Sequence, residues 1–284
     1  MIKINITNEI KSFYKKEIEL FFIRSQTHKL KDYECIIYNL FNTDFLDFIL
    51  LEYNEIKKIV KKIDNKKIIV NPYEKEIFIK LYESFRKSVA SKNFIKKLNI
   101  QTCPYCNRNY IFNFTKKNQQ ETTAQLDHFF DKSKYPYLAI SIYNLIPSCN
   151  VCNQRKSSKQ ENIFYPYEES FNDSVKFKYK YNNLSDIEIK FDIKSNKEKA
   201  NNHIEIFNLE HLYNEHTDIV LELIQKREIY SDTYIDELTN QYPNIFKNKE
   251  DVLRLITCGY VDDKDLHKRP LSKLIKDISE QLEL

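Results

Sequence analysis

Residues 124–158 read AQLDHFFDKSKYPYLAISIYNLIPSCNVCNQRKSS, and they set an Asp-His pair, two spaced asparagines, a Cys-x-x-Cys and a basic tail within 35 positions of a 284-residue chain. A hard divalent cation takes oxygen ligands, so Asp127 and the side-chain carbonyl of Asn153 are candidate Mg²⁺ ligands, with water and a phosphate oxygen completing the shell. His128 supplies a base that titrates near neutral pH. If a helix begins near Cys152, Asn153 and Lys156 share one face of its first turns. A phosphate is favoured at that positive helix end, which makes Arg155 and Lys156 candidate nucleic-acid contacts. Singly, each residue is ordinary: an Asp-His pair is usually a surface pair, and a lone Asn is usually a cap. Strict strand alternation also sends Asp127 and His128 to opposite faces, so both reach one metal only where the strand ends or bulges. Together these are the parts for metal-assisted phosphodiester hydrolysis.

The thiols frame this stretch. Cys103-x-x-Cys106 and Cys149-x-x-Cys152 stand 42 residues apart, a spacing natural for a hairpin that returns to its start. Four thiolates suit tetrahedral Zn²⁺, and four protein ligands leave no open position for substrate, so the expected zinc is structural. It would clamp the strand after Cys106 to the helix near Cys152, in a segment too small to support itself. Unrelated buried thiols and an iron–sulfur cluster are the alternatives. Cys35 and Cys258 lie outside the pairs and are expected to be small buried apolar side chains.

With these residues in place, LDHFFDKSKYPYLAISIYNLIPSCNVCNQRK resembles the ββα-metal motif of HNH endonucleases, in the subgroup whose finger is tied by two C-x-x-C knuckles. The resemblance covers roughly residues 100–160 and puts the three named positions on His128, Asn144 and Asn153. It implies that His128 is the general base, that Asn144 fixes the loop and the orientation of the histidine, and that Asn153 holds the catalytic Mg²⁺ or Mn²⁺. It also implies that Asp127 is a second ligand of that metal. More loosely, CPYCNRNYI and KRPLSKLIKDI look like parts of bacterial HNH proteins encoded beside ATPases in antiphage defence, namely the Septu-type HNH subunit (PtuB-like). That resemblance implies a DNA substrate and an ATPase protein partner of the Septu PtuA-like kind.

Composition sets the outer bounds. With 42% hydrophobic and 14% aromatic residues, the chain has ample material for a buried core. The beginning MIKINITNEIKSFYKKEIEL carries charges throughout and no apolar stretch, and no uncharged run approaches membrane-spanning length, so a cytoplasmic protein with no membrane contact is expected. The formal charge of +4 is uneven: residues 90–160 hold 11 Lys/Arg against three Asp/Glu, a polyanion-binding surface around the opening stretch. The single glycine, Gly259, excludes a phosphate-cradling P-loop, so any energy-coupled step needs a partner.

Apolar residues at three- and four-residue spacing predict helices over most of 5–95, with a break at Asn71-Pro72. NYIFNF and TTAQLDHFF read as short strands, and VKFKYKYN with SDIEIKFDIK reads as an exposed hairpin around Asn-Asn-Leu-Ser. Helical periodicity returns from Leu209 to Tyr242 and in a final amphipathic helix within RPLSKLIKDISEQLEL. His203, His211 and His216 read as ordinary polar or core histidines. The expected fold is α+β, a mostly helical scaffold with an embedded zinc-stabilised ββα-metal motif. Its parts are a helical region 1–98, a zinc-bound nuclease domain 99–165, and a hairpin plus helical region 166–284 for partner docking. Two rival functions stay open: a catalytically inert zinc-stabilised nucleic-acid-binding or adaptor subunit, and an RNA-directed nuclease, since nothing in the motif reads a 2′ hydroxyl.

Overall fold

The computed structural model describes residues 2–159, 162–172, 174–182 and 186–284. The fold is α+β, with helices and three two-stranded antiparallel sheets among the described residues. The chain forms two compact units rather than three consecutive segments: one of Ile4–Ile100 with Ile111–Gln160, the other of Met1–Lys3, Gln101–Tyr110 and Glu161–Leu284.

The first unit opens with α1 (Asn8–Arg24), α2 (Leu30–Phe41), α3 (Phe45–Phe48), α4 (Tyr53–Asp64), α5 (Pro72–Lys87) and α6 (Val89–Leu98). Side-chain caps start several of these helices. The Thr7 hydroxyl accepts from the Ile10 amide, Glu52 and Glu55 form a capping box on α4, and Asn71 caps α5 with Pro72 in its first turn. Buried positions then recur along one face: Ile56, Ile59, Val60 and Ile63 on α4, and Phe78, Leu81, Tyr82 and Phe85 on α5. Aromatic rings fill the space between helices, with Phe78 meeting Tyr33 edge-on at 5.4 Å and Phe21 meeting Phe85 at 6.0 Å. After β1 (Asn113–Lys116) and β2 (Gln119–Thr122), β3 (Gln125–His128) pairs antiparallel with β4 (Leu145–Ser148), and α7 (Asn150–Lys156) follows.

The helices grip the loop between β3 and β4 at several points. Tyr14 donates from its hydroxyl to the Ile140 carbonyl at 2.6 Å, the Ile142 amide donates to the Ile49 carbonyl at 2.9 Å, and the Tyr135 hydroxyl reaches Asp64 at 2.8 Å. Tyr53 stacks on Phe130 with ring centres 6.1 Å apart. The helical region is therefore the packing surface on which this loop is laid.

The second unit contains β5 (Val175–Tyr181), β6 (Ile187–Ile193), α8 (Lys197–Ile206), α9 (Leu209–Asn214), α10 (Thr217–Ile229), α11 (Asp232–Gln241), α12 (Lys249–Thr257) and α13 (Ser272–Gln281). β5 and β6 pair in register from Val175↔Ile193 to Tyr181↔Ile187, as their alternation predicts, while positions 183–185 of the expected turn lie outside the described residues. The helical stretch expected from Leu209 to Tyr242 is broken into α9, α10 and α11. On α13 the Asp277 carboxylate accepts from the Phe177 amide at 2.8 Å and pairs with buried Lys273, which fastens the final helix to the hairpin. Asn107 donates to the Leu266 carbonyl at 3.0 Å and accepts from the Lys273 amide at 2.9 Å.

Two expectations about thiols are corrected. Cys35 and Cys258 are both exposed, the first on the outer side of α2, the second in the left-handed cap that ends α12. With a single glycine in the chain, asparagine fills left-handed positions instead, at Asn42, Asn99, Asn107, Asn118, Asn196 and Asn208. Among the described residues no helix is long and apolar enough to cross a membrane.

His203 is fully buried, and its Nε2 donates to the Tyr105 carbonyl at 2.8 Å. Burial holds this ring well below the usual histidine range, so it is neutral in the folded state. A histidine with a lowered folded value stabilises the fold fully above its unfolded value and loses that contribution as pH falls below it. Stability should therefore decline below about pH 6.5. In His203→Gln, which keeps a donor but does not titrate, the decline should be shallower by about 1.4 kcal/mol per pH unit. Denaturant midpoints measured across this range would check it, and an unchanged slope would contradict the neutral buried ring.

Candidate functional site

β3 ends at His128, and Leu126, Asp127 and His128 are all buried. A cavity of about 440 Å³ lies beside it. Asp127 and His128 both line this cavity, together with Asn153 of α7, Tyr82 and Arg86 of α5, and Lys132 of the following loop. The alternation that would separate Asp127 from His128 does not keep them apart, because the strand stops at the second of them.

The orientation of His128 is fixed by a backbone group. Its Nε2 lies 2.8 Å from the Ala139 carbonyl oxygen, which can only accept, so Nε2 carries the proton and Nδ1 the lone pair. The edge of the ring packs against Tyr82 at 4.3 Å, and the Tyr82 hydroxyl donates to the Leu126 carbonyl at 2.8 Å. Burial, reinforced by the nearby Lys132 ammonium, pushes His128 down to about 3, so the imidazole is neutral at physiological pH. Burial also pushes Tyr82 up to about 12.

Asn144 is fully buried and does not reach the cavity. Its amide nitrogen donates to the carbonyls of Phe130 (3.1 Å) and Leu138 (3.0 Å), and its oxygen accepts from the Phe130 amide at 2.7 Å. One carboxamide thus ties both ends of the loop 130–138, and the next carbonyl along, that of Ala139, is the one that holds His128. Asp131 caps the turn inside this loop, accepting from the amide and hydroxyl of Ser133.

The basic tail departs from its sequence reading. α7 begins at Asn150 with Cys149 as its N-cap, so the Asn153 amide already donates to the Cys149 carbonyl at 3.0 Å and is not an open helix-end donor for phosphate. Arg155 is exposed on α7, outside the cavity lining. Lys156 is 1% exposed: its ammonium donates to the His128 carbonyl at 2.6 Å and pairs with the Asp127 carboxylate at 3.2 Å. A phosphate-contacting lysine needs its charge at the surface, whereas this one points inward to the residues of β3.

The thiols expected to pair do converge. The sulfur atoms of Cys103, Cys106, Cys149 and Cys152 lie within 4.8 Å of one another, and all four residues are buried. Thiolates about 2.3 Å from one tetrahedral ion stand roughly 3.8 Å apart, so this cluster could hold a zinc ion with modest closure. The Arg108 amide points at Cys106 Sγ (3.4 Å), a contact that favours the thiolate, and the carbonyls of Tyr105 and Cys106 receive His203 and the Tyr213 hydroxyl. Sequence reasoning missed Tyr82, Arg86 and Lys132 as cavity residues. The two on α5 carry no motif, and Tyr82 follows the same apolar spacing as its purely structural neighbours.

The chain is 30% identical over 96 residues to the Septu protein PtuB of Bacillus thuringiensis, a stretch covering 31% of this chain and 35% of that protein. The chain thus matches about a third of that relative's length. No family model and no solved structure matches.

Two expectations follow. Purified protein should hold about one zinc per chain, and Cys106→Ser should lose it with a lower melting temperature, because metal-binding free energy is also folding free energy; elemental analysis beside a melting curve reads both. Lys156→Ala leaves the buried Asp127 carboxylate without its cation and should cost on the order of 3–5 kcal/mol of stability.

Proposed function

We propose that the chain is a metal-dependent HNH endonuclease that hydrolyses DNA phosphodiester bonds, with zinc structural at the four cysteines. The observation that carries this reading is the shared cavity of Asp127, His128 and Asn153, with the histidine tied through Nε2 so that Nδ1 is the basic atom. Asp127 and Asn153 offer the oxygen donors that a hard cation requires. Bound Mg²⁺ or Mn²⁺ would supply stabilisation of the charge that develops on the phosphate and on the departing 3′ oxygen. His128 takes the proton from the attacking water at Nδ1, and its neutral state at physiological pH leaves that lone pair ready. The Ala139 carbonyl keeps the opposite nitrogen protonated and steadies the imidazolium that forms. The products carry 5′ phosphate and 3′ hydroxyl ends.

The likeness to the Septu protein PtuB supports a role as effector nuclease in antiphage defence. The sequence, with its one glycine, offers no P-loop, so energy coupling is assigned to an ATPase partner. Co-purification from the native operon tests that partner, and recovery of an unpartnered, constitutively active nuclease would count against it.

One observation favours the inert adaptor instead. The Asp127 carboxylate already pairs with the Lys156 ammonium, so one oxygen of a would-be metal ligand is engaged. Parallel cleavage assays on DNA and RNA, with and without Mg²⁺, separate nuclease from adaptor and DNA from RNA.

The residue-level test compares two truncations. His128→Ala should lower turnover by about 10²–10⁴-fold with Mg²⁺ affinity near parental, and should melt lower by roughly 1–3 kcal/mol because the buried Ala139 carbonyl loses its donor. Asn153→Ala, partly exposed and bonded into α7 through its backbone, should keep its stability and instead require more Mg²⁺ for half-maximal activity. Parental cutting by His128→Ala, with contaminating nuclease excluded, would remove this active site.

A further inference from the structure

The hairpin β1–β2 carries a face that the nuclease reading leaves unused. Ile111 is 1% exposed, while Phe112 and Phe114 are 49% and 45% exposed. Phe112 adds a further pair to the ladder, its amide donating to Thr123 Oγ1 at 2.8 Å and its carbonyl accepting from the Thr123 amide at 2.9 Å. Along an extended strand, residues two apart share a face, so Phe112, Phe114 and Lys116 form one outward stripe of two rings and a cation. Their α-carbons are about 7 Å apart along the strand. Lys116 and Lys117 at the tip are exposed. The one acidic side chain opposite Phe114, Glu121, is neutralised by Lys92 of α6 at 2.9 Å. Exposed aromatic surface beside exposed cations suits a ligand with flat apolar faces strung on an anionic backbone.

The stripe also lies close to the cavity. Thr123, the partner of Phe112, is four residues from Asp127, a span of at most about 14 Å of extended chain. A strand held on the stripe would be within a few nucleotides of the cavity that Asp127 and His128 line.

We propose that Phe112 and Phe114 form a stacking platform for the unpaired bases of a single DNA strand, with Lys116 and Lys117 on its phosphates. Double-stranded DNA offers no base faces to these rings, so the platform selects a frayed, gapped or displaced strand. This names the form of the substrate and rests on the nuclease reading only for the choice of DNA; binding itself requires no cleavage.

The test uses the full chain, zinc-loaded and free of Mg²⁺, with a labelled oligothymidylate of about a dozen nucleotides, a blunt duplex of equal length, and the matching RNA. The oligothymidylate should bind more tightly than the duplex, and each of Phe112→Ala and Phe114→Ala should weaken it by roughly 5- to 100-fold with little effect on the duplex. Their melting temperatures should stay parental, since both rings are half in solvent. The chain has no tryptophan, so Phe114→Trp introduces a single indole that can be excited selectively over the 20 tyrosines, and its emission should be quenched by the oligothymidylate. Parental oligothymidylate affinity in the alanine variants, or unquenched Trp emission at saturation, overturns the platform, and tighter binding of the RNA overturns its assignment to DNA. If His128→Ala cuts normally while the platform results hold, the active-site reading fails and this one stands.

Discussion

The buried carboxamide of Asn144 is the constraint on which the candidate site depends. A primary amide with no access to water must meet its hydrogen-bonding capacity inside the protein, and here it does so entirely through backbone groups at both ends of one loop. The bonds to Phe130 and Leu138 fix where the chain re-enters the fold, and the carbonyl after Leu138 meets the His128 ring. Choosing the tautomer of the histidine is thus a consequence of closing the loop. Helix packing serves the same end, because Tyr14 of α1, Ile49 after α3, and Asp64 at the end of α4 all contact the stretch from Tyr135 to Ile142.

Lys156 imposes a second constraint, of electrostatic kind. An ammonium at 1% exposure gives up its hydration, and it recovers that cost from one carboxylate, one carbonyl and the face of Phe129 at 5.9 Å. Such a pair contributes little net stability against an apolar replacement, yet it ties α7 to β3 through two contacts. Cys152 and Lys156 are one turn apart on the buried side of α7, so the rotation that brings the thiol inward also brings in the ammonium, with Asn153 turned toward the cavity between them.

Much of this was legible in the sequence, and the failures share a cause. Period-four apolar spacing located α4 and α5, alternation located β5 and β6, and the Cys-x-x-Cys spacing anticipated four converging sulfurs, because each pattern is a local consequence of backbone geometry. Lys156 was misread because lysine is almost never buried unless paired, and its partner Asp127 is adjacent only after β3 and α7 have packed. Cys35 and Cys258 were misread from the average behaviour of free thiols, which says nothing about which helix face or helix end a particular one occupies. Composition changes near residue 99, while Ile111–Gln160 groups by its contacts with the helices before it, because packing and not composition decides which segments meet.

The recurring device in each unit is a side-chain donor pinned to a backbone carbonyl. Tyr14, Tyr82, His128, Asn144 and Lys156 do this in one unit, and His203, Tyr213 and Asn107 do it in the other. Three two-stranded sheets satisfy few carbonyls by themselves, and buried carbonyls must be satisfied. Acceptors of this kind leave no trace in the sequence, since every residue has one, which is why these contacts could not be read in advance. For His128 the donor is also the candidate base. If His128 acts as the proposed base, turnover and loop stability depend on opposite nitrogens of one ring, and truncating it removes both at once. Only a replacement that keeps a donor at the Nε2 position while lacking a basic atom at Nδ1 can tell the chemistry of this residue from its bracing.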